Sequence, residues 1–383
     1  MTLYDNVGAV EEPFAIALSE KDGEDASKEV SLKIKSVFPR FVKHLFIFFT
    51  PQYQPQQILQ TITFTLKPQT LVGIQSPLLV FEDRIINKGV TALCINKEGV
   101  AIKEILMKSD DSQRVEFSIK NSLKYTPREN QFFFSLLSHQ FSHENYLRGL
   151  SMALGKAFAI AGGGYMKRYA EKNYQLINNN IEEGIVNEIF TGIKLNCLSL
   201  SGFIPLGKPF TITKMASKRN MIMEINGRPA VNIYAKYLGE KFDAFIKNYL
   251  FTLYPLGIKQ GRRFRLINIL ECLNDGSLVC VGDIKEKTQA HIMMFHYPSF
   301  MESLAYRLET LKRNGDGLIF MINSMVRKKI LKDFAQEEIK VIKRTLGERC
   351  KLIGMYCDYS FFSDKETRDT NLEAGNLLLT QWQ

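Results

Sequence analysis

Residues 198–238, LSLSGFIPLGKPFTITKMASKRNMIMEINGRPAVNIYAKYL, constrain the fold more tightly than any other stretch of this chain. From Ser201 to Pro209, glycine and proline alternate with apolar residues, which marks a turn-rich lead into a strand. Phe210, Ile212 and Lys214 then alternate with Thr211 and Thr213, the two-residue period of a half-buried strand. Residues 221–225 predict a second strand, and Asn226-Gly227 after it is a strong signal for a tight hairpin. Pro229 predicts the start of a helix, with Val231, Tyr234 and Leu238 on one face. Strand, hairpin and helix are thus encoded in 198–238, with no acid, base or nucleophile arranged for chemistry.

A chain of 383 residues predicts about two domains. Its 45% hydrophobic content is enough for a sizeable core. The longest apolar run, 45–49, falls far short of the roughly 20 residues a membrane-crossing helix needs. The first residues carry Asp5, Glu11 and Glu12 and no base, unlike a secretory signal, so the expected location is the cytoplasm. Six scattered cysteines without a Cys-x-x-Cys pair indicate neither zinc nor a redox couple, and reduced thiols fit that compartment. The net charge of +10 gathers at Arg262 to Arg265, Arg327 to Lys329 and Lys340 to Arg344. A nucleic-acid surface could look like this, but no DNA- or RNA-binding signature accompanies it, and solvated helix faces account for it more simply.

Along the chain, residues 1–32 read as an acidic, flexible tail. Buried strands are predicted at 41–49 and 131–137, helices at 54–66, 144–154, 230–250, 298–313 and 327–346, and hairpin material at 174–200. The fold class is therefore α/β, with α+β as the alternative: two domains, 33–222 and 223–383, of mixed sheets flanked by helices. One internal echo stands out. A helix, a short buried strand and glycine recur at Leu71-Val72-Gly73 and at Leu352-Ile353-Gly354, each leading through a turn to paired apolar residues, Val80-Phe81 and Phe361-Phe362. Helix, strand and glycine recur a third time between Leu147 and Gly162. Ordinary α/β repetition and true duplication both explain this.

Catalytic motifs are missing. No G-x-S-x-G, phosphate loop or G-x-G-x-x-G occurs, and Gly162-Gly163-Gly164 lacks the Lys-Ser/Thr of a nucleotide loop. His139 and His143 stand four apart and would share a helix face, without a third ligand nearby. An enzyme is not expected, nor is a bound metal.

The order and spacing of several short motifs carry a family resemblance. Gly-x-x-Pro-x-Gly-x-x-Phe-x-Ile-Thr-Lys from Gly202, followed by the Asn-Gly-x-Pro-Ala run, resembles the junction of the two FIST domains. His143 to Gly164, Leu253 to Gly257, Asp275-Gly276-Ser277, Gly317 to Arg327 and Leu352 to Asn376 follow in the family's order, covering roughly 35–380. The resemblance implies a sensory protein of bacterial signal transduction. It would bind a small, amino-acid-like ligand and report to a separate signalling protein such as a histidine kinase. Two alternatives stand beside it, the first implied by the resemblance and the second read from the basic charge. One is a haem-binding nitric oxide sensor, with His44, His139, His143 or His296 as the axial ligand. The other is an interaction scaffold with a basic surface. Candidate ligand-binding residues are those at glycine-bearing strand ends: Gly73, Gln75 and Ser76; Gly162, Gly163 and Gly164; Gly202 and Pro205; Arg327; Gly354, Tyr356 and Asn376. Glycine allows close approach, the neutral side chains supply hydrogen bonds, and Arg327 suits a carboxylate. Where the family carries Gly-Glu, this chain has Leu78-Leu79 and Tyr359-Ser360, which implies a less charged pocket.

Overall fold

A computed structural model describes residues 12–123, 131–155, 158–165, 174–216, 220–239, 251, 253–261, 263–281, 284–313, 317–363, 370–373 and 375–383. The fold is mixed α/β, and one arrangement occurs in it three times. The first unit runs strand Phe14–Ser19, helix α1 (Gly23–Val37), strand His44–Phe49, helix α2 (Pro55–Leu66) and strand Thr70–Gln75. A short hairpin, Leu79–Phe81 with Arg84–Ile86, follows, and the unit ends in the return strand Val90–Ile95. The second unit repeats the order: Ala101–Met107, α3 (Ser112–Leu123), Gln131–Leu137, α4 (His143–Leu154), Ala159–Gly164, the hairpin Gln175–Ile177 with Asn180–Glu182, and Ile185–Thr191.

After strand Leu195–Leu200 an eight-stranded sheet is inserted, Phe203–Met215 through Gln289–Phe295, with one described helix, α5 (Asn232–Leu238). The third unit then resumes with α6 (Tyr297–Arg313), Leu318–Ser324, α7 (Met325–Leu331), α8 (Phe334–Leu346) and Lys351–Cys357. It ends with the hairpin Tyr359–Ser363 with Thr370–Glu373 and the return strand Leu377–Trp382.

Each unit builds a six-stranded sheet of one design. First strand, return strand, the parallel central pair and a hairpin lie side by side. The hairpin, however, comes from another unit. Leu79–Ile86 joins the third sheet beside Lys351–Cys357, Gln175–Glu182 joins the first beside Thr70–Gln75, and Tyr359–Glu373 joins the second beside Ala159–Gly164. The loan is cyclic, so each unit's sheet is completed by another.

The three sheets turn one face to a shared core and the other to their own helices. That core takes Phe46, Phe48 and Val72 from the first sheet, Phe132, Phe134 and Phe190 from the second, and Phe320, Ile322 and Trp382 from the third. Phe132 stacks on Phe190 at 4.3 Å, and Trp382 sits 5.5 Å from Phe134 and 5.8 Å from Phe320. Such strands, covered on both faces, are what continuous apolar runs such as HLFIFF and QFFFSLL predict. The outer faces pack on α1 and α2, α3 and α4, and α6 and α8.

Several expectations change. Of the tail expected at 1–32, residues 1–11 lie outside the described residues and 14–32 hold a strand and part of a helix: Phe14–Ser19 pairs with Val90–Ile95, and Ala26, Val30 and Ile34 bury one stripe of α1. Glu24, Asp25 and Glu29, which made the segment look disordered, belong to the helix's other positions. The 327–346 helix is two helices, broken at Lys332 with φ of +51°. Helix α3 was not foreseen, because it buries only Val115 and Ile119. The 222/223 boundary falls inside strand Met221–Ile225, in the inserted sheet. Asn226-Gly227 does form a two-residue turn, both at positive φ, but Pro229 pairs with Glu224 and the helix starts at Asn232. Of the predicted 230–250 helix, 240–250 lie outside the described residues, as does Arg262.

Candidate functional site

The glycine echo is a packing device. Gly73, Gly162 and Gly354 occupy the same position in the three sheets, opposite Leu176, Phe361 and Val80 of the borrowed hairpins. A β-carbon on Gly73 would lie 2.9 Å from the Ile47 carbonyl oxygen, and one on Gly162 or Gly354 would collide with Ser135 or Met321. All three face the helix layer, where their missing side chains admit the neighbouring strand. Gly163 faces the shared core, with Cys357 Sγ 2.9 Å from where its β-carbon would be, and Gly164 lies beneath the Tyr359 ring.

Ser76 ties the first sheet to the third, and Gln75 ties its strand to the borrowed hairpin. The Ser76 hydroxyl lies 2.7 Å from Leu78 O and 2.9 Å from Tyr356 O, and the Gln75 N–H donates to Tyr174 O at 2.9 Å. Tyr165 Oη donates to the same Tyr356 carbonyl at 3.0 Å. Pro205 is exposed on the Phe203–Met215 strand, opposite Met293.

The remaining candidates converge on one place, the seam between the inserted sheet and the third unit. A cavity of about 330 Å³ opens there, lined by Gly202 and Asn376 among others. The end of the Leu195–Leu200 strand brings Ser199 and Ser201, and α6 brings Ser299, Phe300, Ser303 and Arg307. The inserted sheet brings Phe203, Arg263 and Phe264. Asn376 Nδ2 donates to Ser199 Oγ at 3.1 Å, which fixes the amide in the wall.

Arg327 lies directly behind this wall, fully buried. Its Nη1 donates to the Ser201 carbonyl at 2.9 Å, its Nε to Asn323 Oδ1 at 3.1 Å, and its Nη2 pairs with the equally buried Glu338 of α8. The guanidinium also stacks 4.2 Å from the Phe300 ring. Asn323 Nδ2 donates to Glu338 Oε1 and to Tyr356 Oη, so Tyr356 closes the same network. Burial pushes the Tyr356 hydroxyl far up, with Glu338 adding to the shift, and the phenol stays neutral. Arg327 is thus not a surface cation. Lys343 is likewise mostly buried, between Glu82 and the Cys350 carbonyl. Two of the three basic runs in the sequence therefore spend charge internally.

The four histidines considered as haem ligands, of five in the chain, are scattered. His44 Nδ1 meets Thr70 Oγ1 at 2.9 Å, and burial, then Lys43, lowers its pKa to about 4. His143 stands on α4, its ring 4.7 Å from Tyr359, and burial lowers it to about 4 as well. His296 Nδ1 meets Ser299 Oγ at 2.8 Å at the start of α6. None of these, nor His139, lines the seam cavity, so the residues there do not fit an axial haem ligand. Among the described residues no group of three His, Cys, Asp or Glu side chains is placed to hold a metal ion, and no helix is long and apolar enough to cross a membrane.

Sequence reasoning missed Arg263, Arg307 and the serines. One signal was present: Ser299, Ser303 and Arg307 recur every fourth residue, a polar stripe on one face of α6. What hid them was that the opposite wall lies in an insertion some forty residues earlier.

Comparison with known proteins then decides the family. Residues 43–228 match the FIST N domain and residues 230–358 the FIST C domain. The chain belongs to the FIST family. FIST domains are small-ligand sensory domains of signal transduction. The seam cavity of this FIST protein has walls from both matched segments, Ser199 to Ile204 in the first and Arg263 to Arg307 in the second. A search of curated proteins finds no match. Among solved structures, cyanuric acid hydrolase from A. caulinodans aligns over 96% of this chain and 98% of its own at 6% identity, with a TM-score of 0.37. So loose a likeness carries nothing about fold or reaction.

Proposed function

We propose that this FIST protein is a sensor that takes a small ligand into the seam cavity and passes the bound state to a separate signalling protein. The observation that supports it is the wall itself. Residues of the inserted sheet and of the third unit enclose about 330 Å³, within the range of small-molecule sites, roughly 300–1,000 Å³. Arg327 joins this wall to α8 through Glu338. A ligand that draws Arg263 and Arg307 together would move the inserted sheet against α6, and Arg327 would carry that shift to α7 and α8, where a partner reads it. Amino acids, the class the family resemblance suggests, belong in the first ligand screen.

Thermal melting of the full chain against a metabolite panel tests this reading. A ligand at about 100 times its Kd stabilises the folded state by about 2.7 kcal/mol and raises Tm. Ser303→Trp, at an exposed position on the cavity wall, should abolish the shift while leaving the ligand-free melt unchanged. A panel that shifts nothing, or a shift that survives Ser303→Trp, would overturn the assignment of the seam as the sensing site.

A further inference from the structure

We infer that the seam cavity selects an organic oxyanion that carries no ammonium group: a carboxylate or phosphate on a short apolar body. The inference rests on the reading of the seam as the ligand pocket. It departs from an amino-acid ligand on electrostatic grounds.

Two guanidinium groups from different layers share the space, Arg263 from the inserted sheet and Arg307 from α6. Arg307 is half-buried and has no ion-pair or hydrogen-bond partner among the described residues. Ser303 and Ser299 stand one and two turns before it on the same helix face; Ser303 offers a hydroxyl donor, whereas the Ser299 hydroxyl is engaged by His296 Nδ1. Asn376 lines the opposite side, held by Ser199. Among the described lining residues there is no carboxylate. A buried acid behind the wall, Glu338, is already bound by Arg327 and Asn323.

The cavity is therefore donor-rich and positive. An oxyanion gains charge-assisted, fork-shaped hydrogen bonds from arginine. An α-ammonium placed beside it would meet the like charge of Arg307, and the described lining residues offer no carboxylate to offset it. The rest of the ligand is set by Phe203, Phe264 and Phe300, which supply flat apolar surface. Carboxylates and phosphate esters share this chemistry, and only titration separates them.

Isothermal titration of the full chain with benzoate, phenyl phosphate, L-phenylalanine and benzamide tests the proposal. Benzoate or phenyl phosphate is expected to bind, more weakly as salt rises, while benzamide and L-phenylalanine do not. Whichever anion binds more tightly identifies the head group. Arg307→Gln should weaken that anion about tenfold or more, Arg307→Lys less, and neither should move the ligand-free melt. Binding of L-phenylalanine as tight as that of the anions overturns the oxyanion assignment and leaves the seam as the sensing site. Anion binding that ignores Arg307→Gln also overturns it. Anion binding that persists in Ser303→Trp removes the seam itself. If neither anion binds while a metabolite from the panel does so at the seam, only the oxyanion inference falls.

Discussion

The three-sheet body and the inserted sheet are built on opposite principles. In the body, central strands such as His44–Phe49, Gln131–Leu137 and Leu318–Ser324 are buried along their whole length, on both faces, because helices cover one side and the other two sheets the other. In the insertion, Phe203–Met215 buries only Phe203, Phe210 and Ile212 of its thirteen residues. The insertion has its own smaller core, around Phe210, Ile212, Tyr234 and Ile292. It leaves and re-enters the body at adjacent points, where the His296 N–H donates to the Gly202 carbonyl at 2.9 Å. The body is a closed cycle of loans and the insertion a self-contained graft. The cavity lies where the graft meets the cycle, beside a small apolar cluster in which Phe203, Leu266 and Met293 pack with Ile330.

The largest expected effect separates the two by deletion. Replacing 203–295 with a short Gly/Ser linker should leave a cooperatively melting body, since the two ends already touch. Removing only 377–383 should leave no folded body, because two strands lose their shared partner and the core loses Trp382, whose truncation alone is worth about 3–5 kcal/mol. Circular dichroism melts of both deletions check this. A folded 377–383 deletion would refute the closed-cycle view.

Next in size is the seam. Arg327→Met should cost about 3–5 kcal/mol by stranding Glu338, whereas Arg327→Met with Glu338→Leu should recover most of it. Urea titration of both variants decides. No recovery in the double variant would mean that Arg327 matters through Ser201 and Phe300 rather than through its buried partner.

How far was this legible in the sequence? The buried strands were, because runs such as QFFFSLL fit only a strand covered on both sides. The Asn226-Gly227 turn was too, because few residues tolerate two successive positive φ values. The triple echo of helix, strand and glycine was visible, and each glycine holds the same place in its sheet. The cyclic loan was not, since three-residue strands such as Leu79–Phe81 carry no period long enough to name a partner. At the site, Gly202, Asn376 and Arg327 were named and lie in or behind the wall, but Arg327 reaches Ser201 and not the space itself. Its depth could not be read from the sequence, because Glu338 sits beyond a helix break at Lys332 that no proline or glycine announces.

The smallest effect sharpens a difference within the body. Where the first and third units place Leu93 and Thr380 on the return strand, the second places Glu188 opposite Glu104. Burial, and then Glu104, raise the Glu188 pKa well above the carboxylate range, and burial raises Glu104 too. A carboxyl whose folded pKa is raised costs stability once the pH climbs above its unfolded value. Glu188→Gln should therefore gain a few degrees in Tm at pH 8, and the gain should vanish near pH 4, where both forms are neutral. Melts at the two pH values measure it, and an equal change at both would show that the glutamate ionises freely.

The borrowed hairpins also set a timetable. A ribosome makes the first sheet's central strands a hundred residues before Gln175–Glu182 arrives to cover their edge. The second sheet waits longer still, for Tyr359–Glu373. Trp382, which touches Phe46, Phe132, Phe134, Phe190 and Phe320, is synthesised after every ring it packs against. Until then the nascent chain holds open sheet edges and an unsealed aromatic centre, the kind of exposed surface that draws chaperones. The topology that leaves the finished body without a weak unit makes its assembly an all-at-the-end event.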